Sequence, residues 1–262
     1  MSSLDQQLPT EAPRPWPLAP EPEPVFGIPE VAVAFVGMLL ALFFCAGAAI
    51  VIAHHLESLS RVPPAQLANE PRVLLPAQLA AYLLVLAALW RLFAHHLRIG
   101  FFRALHWEWP RRWLRFVVAG ALLAVVMQLI AHLLPLPPEA PIDKMLQNRD
   151  DAWLMTGFGV LIAPFVEEIL FRGLLFPALA RRVGAVVSLA VTALLFGAIH
   201  ANQLAGSWLE VACIVCVGVV LTLVRWRSHS LACSTLTHVG YNGALFVALF
   251  IQTRGFTNFP VH

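Results

Sequence analysis

The stretch APFVEEILFRG, residues 163–173, sets Glu167, Glu168 and Arg172 inside a run otherwise suited to lipid. Ionised groups in hydrocarbon are costly, and an intramembrane ionisable residue is a functional candidate by default. Helical geometry divides the three. At about 100° per residue, Glu168 and Arg172 lie roughly 40° apart, and Glu167 is about 140° from the arginine. A glutamate four residues before a cation is also the favoured order for such a pair. Glu168 and Arg172 are therefore expected to form an ion pair, with Glu167 pointing elsewhere. A carboxylate left without a counter-ion in a dry setting suits general-base work.

Further polar groups recur downstream at helical spacing. His200 closes FGAIH, one turn after Phe196, and HVGYN places His238 and Asn242 four apart on one face. Glu167 and His200 are each about 16 residues from Val183 and Gly184, so an antiparallel helix pair brings them to one depth. Gly240 and Gly243 leave room for close approach of a backbone or a substrate. One tension follows. Glu167 lies roughly 24 Å from its turn, but His238 only roughly 12 Å beyond the RWRSHS loop. Either the fourth and fifth spans protrude or the last helix starts deeper, and Pro164 is expected to kink the chain before the glutamates. Gln128 and His132 share a face of the third span and suit an interhelical hydrogen bond. His54, His55, His95 and His96 fall at span ends, where no special role is needed.

The elements that must position these groups are apolar helices. The chain has 262 residues, 59% hydrophobic and only 12% charged, against about 25% charged in ordinary soluble domains. Mean hydropathy is +0.75. The net charge of +2 and the absence of a basic stripe argue against a nucleic-acid partner. Seven apolar segments, at about 31–53, 73–94, 116–134, 152–179, 185–204, 208–224 and 231–252, approach the ~20 residues needed to span hydrocarbon. No β alternation suggests a barrel. The expected fold is all-α, a polytopic transmembrane helix bundle of about seven spans. Its expected parts are a proline-rich, polyproline-like tail at 1–28, three N-terminal spans and their loops at 29–150, and a four-span core at 151–254. Cys213 and Cys216 form a C-x-x-C inside a hydrophobic helix, where small apolar fillers are expected rather than a redox or zinc pair.

Cationic residues set an expected orientation. Arg91, Arg98, Arg103, Arg111, Arg112 and Arg115 border the second-to-third connection, on the side shared by Arg14, Arg181, Arg182, Arg225 and Arg227. The other side holds Arg61, Arg72, Lys144, Arg149 and Arg254. The N-terminus is expected in the cytoplasm and the C-terminus outside. An integral protein of a bacterial inner membrane is the expected location.

EEILFR (167–172), FGAIH (196–200) and HVGYN (238–242), in this order, resemble the signature of the CPBP intramembrane protease family. That family includes the CAAX prenyl endopeptidases and bacteriocin-processing or immunity proteins of the Abi group. The resemblance covers about residues 150–252, and nothing before residue 115 adds to it. It implies an intramembrane endopeptidase that cleaves a membrane-associated protein or peptide in the lipid bilayer. Glu167 and His200 would hold and activate a water, His238 and Asn242 would stabilise the oxyanion, and Glu168, Arg172 and Phe196 would support the site. A metal-free glutamate mechanism is preferred and no cofactor is assigned. If a metal such as zinc is present, Glu167, His200 and His238 are its candidate ligands. The rival readings are a non-catalytic scaffold or bacteriocin-immunity protein, and a transporter. Transporters tend to place comparable polar or broken segments in both halves, which the bare first two spans lack.

Overall fold

The computed structural model describes residues 25–56, 62–67, 70–134, 148–204 and 207–259. Most of the proline-rich tail lies outside them, as do Arg14, Arg61 and Lys144 of the charge count. The described residues are helical, without strands. The helices are α1 Ile28–His54, α2 Pro71–His96, α3 Leu114–Leu133, α4 Arg149–Val183, α5 Ala185–Ile199, α6 Trp208–Ser228 and α7 Leu231–Gln252. All but α5 are long and apolar enough to cross a membrane. Seven apolar helices are thus present among the described residues, and the fifth is the short one. Its 15 residues rise only about 22 Å, less than the ~30 Å of hydrocarbon. Their outer faces carry exposed Val33, Phe43, Leu122, Leu129, Val186 and Ile251, the pattern expected of surfaces solvated by lipid.

Two wide π turns interrupt α4, at Phe158–Ile162 and Ile169–Leu175, and each is followed within two residues by a proline, Pro164 or Pro177. Proline has no N–H for the carbonyl four residues back, and its ring crowds that carbonyl. A wider turn accommodates both problems. The glutamates sit between the two π turns, a local widening common at functional sites.

The depth tension resolves through overhang. A Cβ on Gly173 would lie 3.2 Å from Cδ2 of Leu231, so α7 begins beside Gly173. The last stretch of α4, about ten residues or roughly 15 Å, runs on past that point. Leu105 of the α2–α3 connection packs at the same glycine, and the backbone N–H of Leu231 donates to the carbonyl of His106 at 3.0 Å. At the other end of α4, Asn148 caps the helix by accepting from Asp151 N–H at 2.9 Å. Arg72 of α2 reaches Asp151 at 3.3 Å and Asp150 at 3.6 Å, which sets α2 beside α4. Tyr82 then stacks on Phe158 with ring centres 5.7 Å apart.

Helix α7 is held against α3 by glycine on both sides. A Cβ on Gly120 would lie 1.9 Å from the Thr237 carbonyl oxygen, and one on Gly240 would lie 2.1 Å from that of Val117. The backbones touch, which only glycine allows. Gly243 differs: its nearest neighbour, Val160 Cγ1, is at an ordinary 3.7 Å. Gly184, at φ +82°, makes the sharp link from α4 to α5.

Candidate active site

The expected ion pair is present. Nη1 of Arg172 donates to Oε1 of Glu168 at 2.9 Å, and both side chains are fully buried. Arg172 spends its other donors on α6. Its Nε donates to the Thr222 hydroxyl at 3.2 Å and its Nη2 to the Gly218 carbonyl at 2.9 Å. The guanidinium lies 4.3 Å from the centre of the Phe196 ring, a cation–π contact in a desolvated setting. Gly197 and Gly218 permit this: their missing side chains let α5 and α6 approach closely, with a Cβ on Gly197 only 2.4 Å from Val215 Cγ2.

Glu168 has a second partner. Nδ1 of His238 is 3.1 Å from its Oε1. A carboxylate oxygen can only accept from that ring, so Nδ1 carries the hydrogen. His238 Nε2 then faces Glu167, 3.8 Å from Oε2. That separation exceeds a direct hydrogen bond and is of the kind a water bridges. Glu167 keeps 17% of its side-chain surface exposed, where Glu168 keeps none. The two glutamates are chemically distinct, as their angular separation implies.

His200 sits at the C-terminal cap of α5, and its Nδ1 donates to the Phe196 carbonyl at 2.7 Å, leaving Nε2 as the free nitrogen. It joins the cluster through Phe196, whose ring centre is 4.9 Å from His200 and 5.7 Å from His238. Among the described residues no hydrogen bond or ion pair links His200 to Glu167. Asn242 donates through Nδ2 to the Gly159 carbonyl in the first π turn, at 2.7 Å. An amide nitrogen has two hydrogens, so one remains after Gly159 has fixed its orientation.

Glu167, His200 and His238 are the candidate ligands if a metal is present. Among the described residues no group of three or more His, Cys, Asp or Glu side chains is arranged to hold a metal ion. Cys213 and Cys216 are free thiols on α6, as are Cys45 and Cys233 on their helices.

Several neighbours escaped the sequence reading. Thr222 and Gly218 complete the shell of Arg172, and Gly159 holds Asn242. Tyr82 is a further neighbour. It is buried on α2, accepts from Gln78 Nε2 at 2.6 Å, and lies within electrostatic reach of Glu167. The signal available in the sequence was Gln78 and Tyr82, four apart in an otherwise apolar helix.

Residues 149–244 match the family model described as type II CAAX prenyl endopeptidase, Rce1-like. The matched segment runs from α4 into α7 and contains all the residues singled out by the three motifs. No curated protein and no solved structure matches the chain.

Proposed function

We propose that this integral membrane protein, whose residues 149–244 match the Rce1-like type II CAAX prenyl endopeptidase family model, hydrolyses a peptide bond of a membrane-associated protein or peptide, with Glu167 as general base. The division between the two glutamates carries this reading. Glu168 is bound by Arg172 and His238, whereas Glu167 is partly exposed and faces His238 Nε2 across 3.8 Å.

The steps follow from the groups present. A water between Glu167 and His238 Nε2 gives its proton to Glu167 as its oxygen attacks the substrate carbonyl carbon. The carbonyl oxygen becomes an oxyanion and accepts the second amide hydrogen of Asn242, already aimed by Gly159. Collapse breaks the C–N bond, and the proton held by Glu167 passes to the leaving amine. His200, held by its own helix carbonyl, offers Nε2 to the water or the leaving group. Glu168 and Arg172 position His238 without touching substrate. The reaction proposed is glutamate-dependent rather than metal-dependent. The arginine asymmetry of the loops supports an N-terminus on the cytoplasmic side, and a bacterial inner membrane is the proposed location.

The test compares terminal peptides of membrane proteins from cells carrying wild type or Glu167→Gln, together with cleavage of candidate peptides by the purified protein in lipid. Specific products are expected to vanish with Glu167→Gln and to persist in chelator. Identical termini from both cells, with no cleavage in lipid, would instead support a scaffold. Loss in chelator restored by zinc would overturn the metal-free assignment.

A further inference from the structure

Far from the α4–α7 cluster in sequence, α1 and α2 run antiparallel and leave a groove of about 460 Å³ between them. That lies within the ~300–1,000 Å³ in which proteins hold small organic ligands. Its walls are apolar and cut back: Ala34 and Gly37 on α1 face Val85, Ala88 and Leu89 on α2. Gly37 opens it, since a Cβ there would meet no atom within 4 Å. Where α1 begins and α2 ends, the pair is held by a cluster of tilted rings, with Phe93 5.7 Å from both Phe26 and Phe101, all three buried.

One end of the groove is cationic and hydrogen-bond donating. Arg91, His95 and His96 line it from the last turn of α2, a π turn over Leu92–His96, and all three are exposed. The single acid there, Glu30, is engaged: its Oε2 accepts from Gly27 N–H at 2.8 Å, capping α1. An apolar channel with a guanidinium and two imidazoles at its mouth fits a molecule with one anionic head and a long hydrocarbon part. A free anion would leave the channel unused, and a zwitterionic lipid would leave the cationic mouth poorly matched.

We propose that the α1–α2 groove binds one anionic phospholipid, its phosphate held by Arg91 with His95 and His96 and an acyl chain lying over Ala34, Gly37 and Ala88. The site is independent of the peptidase assignment, because none of its residues belongs to the catalytic cluster or to segment 149–244.

The full chain is purified in a neutral detergent. Lipid retention is counted by native mass spectrometry and thermal unfolding is followed with phosphatidylglycerol, phosphatidylcholine of the same chains, or inorganic phosphate. Phosphatidylglycerol is expected to bind several-fold more tightly than phosphatidylcholine and to raise the unfolding midpoint, with inorganic phosphate ineffective. Arg91→Gln is expected to weaken phosphatidylglycerol binding roughly fivefold, the loss for one cation near a membrane surface, with Arg91→Lys restoring most of it. Gly37→Leu fills the channel and weakens both lipids; Ala88→Leu fills it from the other wall and serves where Gly37→Leu alters the fold. Equal retention of the two lipids, unchanged phosphatidylglycerol affinity in Arg91→Gln or in the channel-filling variant, or equal protection by inorganic phosphate overturns the proposal.

Discussion

Nδ1 of His238 lies 3.1 Å from Oε1 of Glu168, the same oxygen that Nη1 of Arg172 engages at 2.9 Å. One buried oxygen thereby ties α4 to α7 and turns the other imidazole nitrogen toward Glu167. The neighbouring glutamates consequently fail in different ways when changed.

Glu168→Ala strands a fully buried guanidinium and frees the His238 ring. Breaking a buried pair from one side costs about 3–5 kcal/mol, so a lowered unfolding temperature and poor yield are expected with the loss of cleavage. Glu167→Gln removes a base outside that bonded set. It should unfold near the wild-type temperature and still not cleave. Unfolding in detergent, run beside a cleavage assay in liposomes, separates the two.

Asn242→Ala deletes the amide assigned to the oxyanion. Its kcat is expected to fall by about 10²–10³, the usual cost of one such donor. The lost bond to the Gly159 carbonyl should cost only about 1 kcal/mol of stability. Steady-state kinetics on a cleavable peptide, with KM little changed, checks the assignment.

Tyr82→Phe tests whether α2 takes part in the site. Gln78 already donates to the hydroxyl, so the tyrosine's own hydrogen is not committed to that bond. Removing the hydroxyl is expected to lower kcat roughly tenfold, the worth of about one hydrogen bond, with the fold retained by the stack on Phe158. An unchanged kcat and pH profile would remove Tyr82 from the site.

Gly240→Val and Gly120→Leu force a side chain into the backbone contact between α3 and α7, where a Cβ alone would fall within 2.1 Å of a carbonyl oxygen. Overpacking of this kind costs about 1–3 kcal/mol or more, and it moves His238 as well. Gly243→Ala meets only Val160 Cγ1 at 3.7 Å and should be tolerated. Unfolding temperature and cleavage rate, measured on all three, distinguish these positions.

Much of this was legible before any coordinates, because it depends on local periodicity. The Glu168–Arg172 pair follows from 3.6 residues per turn, and the spans follow from the thickness of hydrocarbon. The fifth span is shorter than the expected segment of about 185–204: the α-helix ends at Ile199 and a 3-10 turn takes over at Ala201–Leu204. Gly240 and Gly243 looked equivalent in sequence because composition does not say which glycine faces another backbone.

By itself the sequence determined that the chain is a bundle of apolar helices, that Glu168 and Arg172 share a helix face, and that Glu167 does not. Those are properties of one helix and its solvent. Only the tertiary structure decided which histidine faces Glu167, that His200 joins the cluster through Phe196, and that Tyr82 of α2 stacks on Phe158 of α4. These depend on how far helices slide past one another and how closely they touch. The overhang of α4 beyond Leu231 and the glycine contact between α3 and α7 set those distances, and both arise between segments remote in sequence.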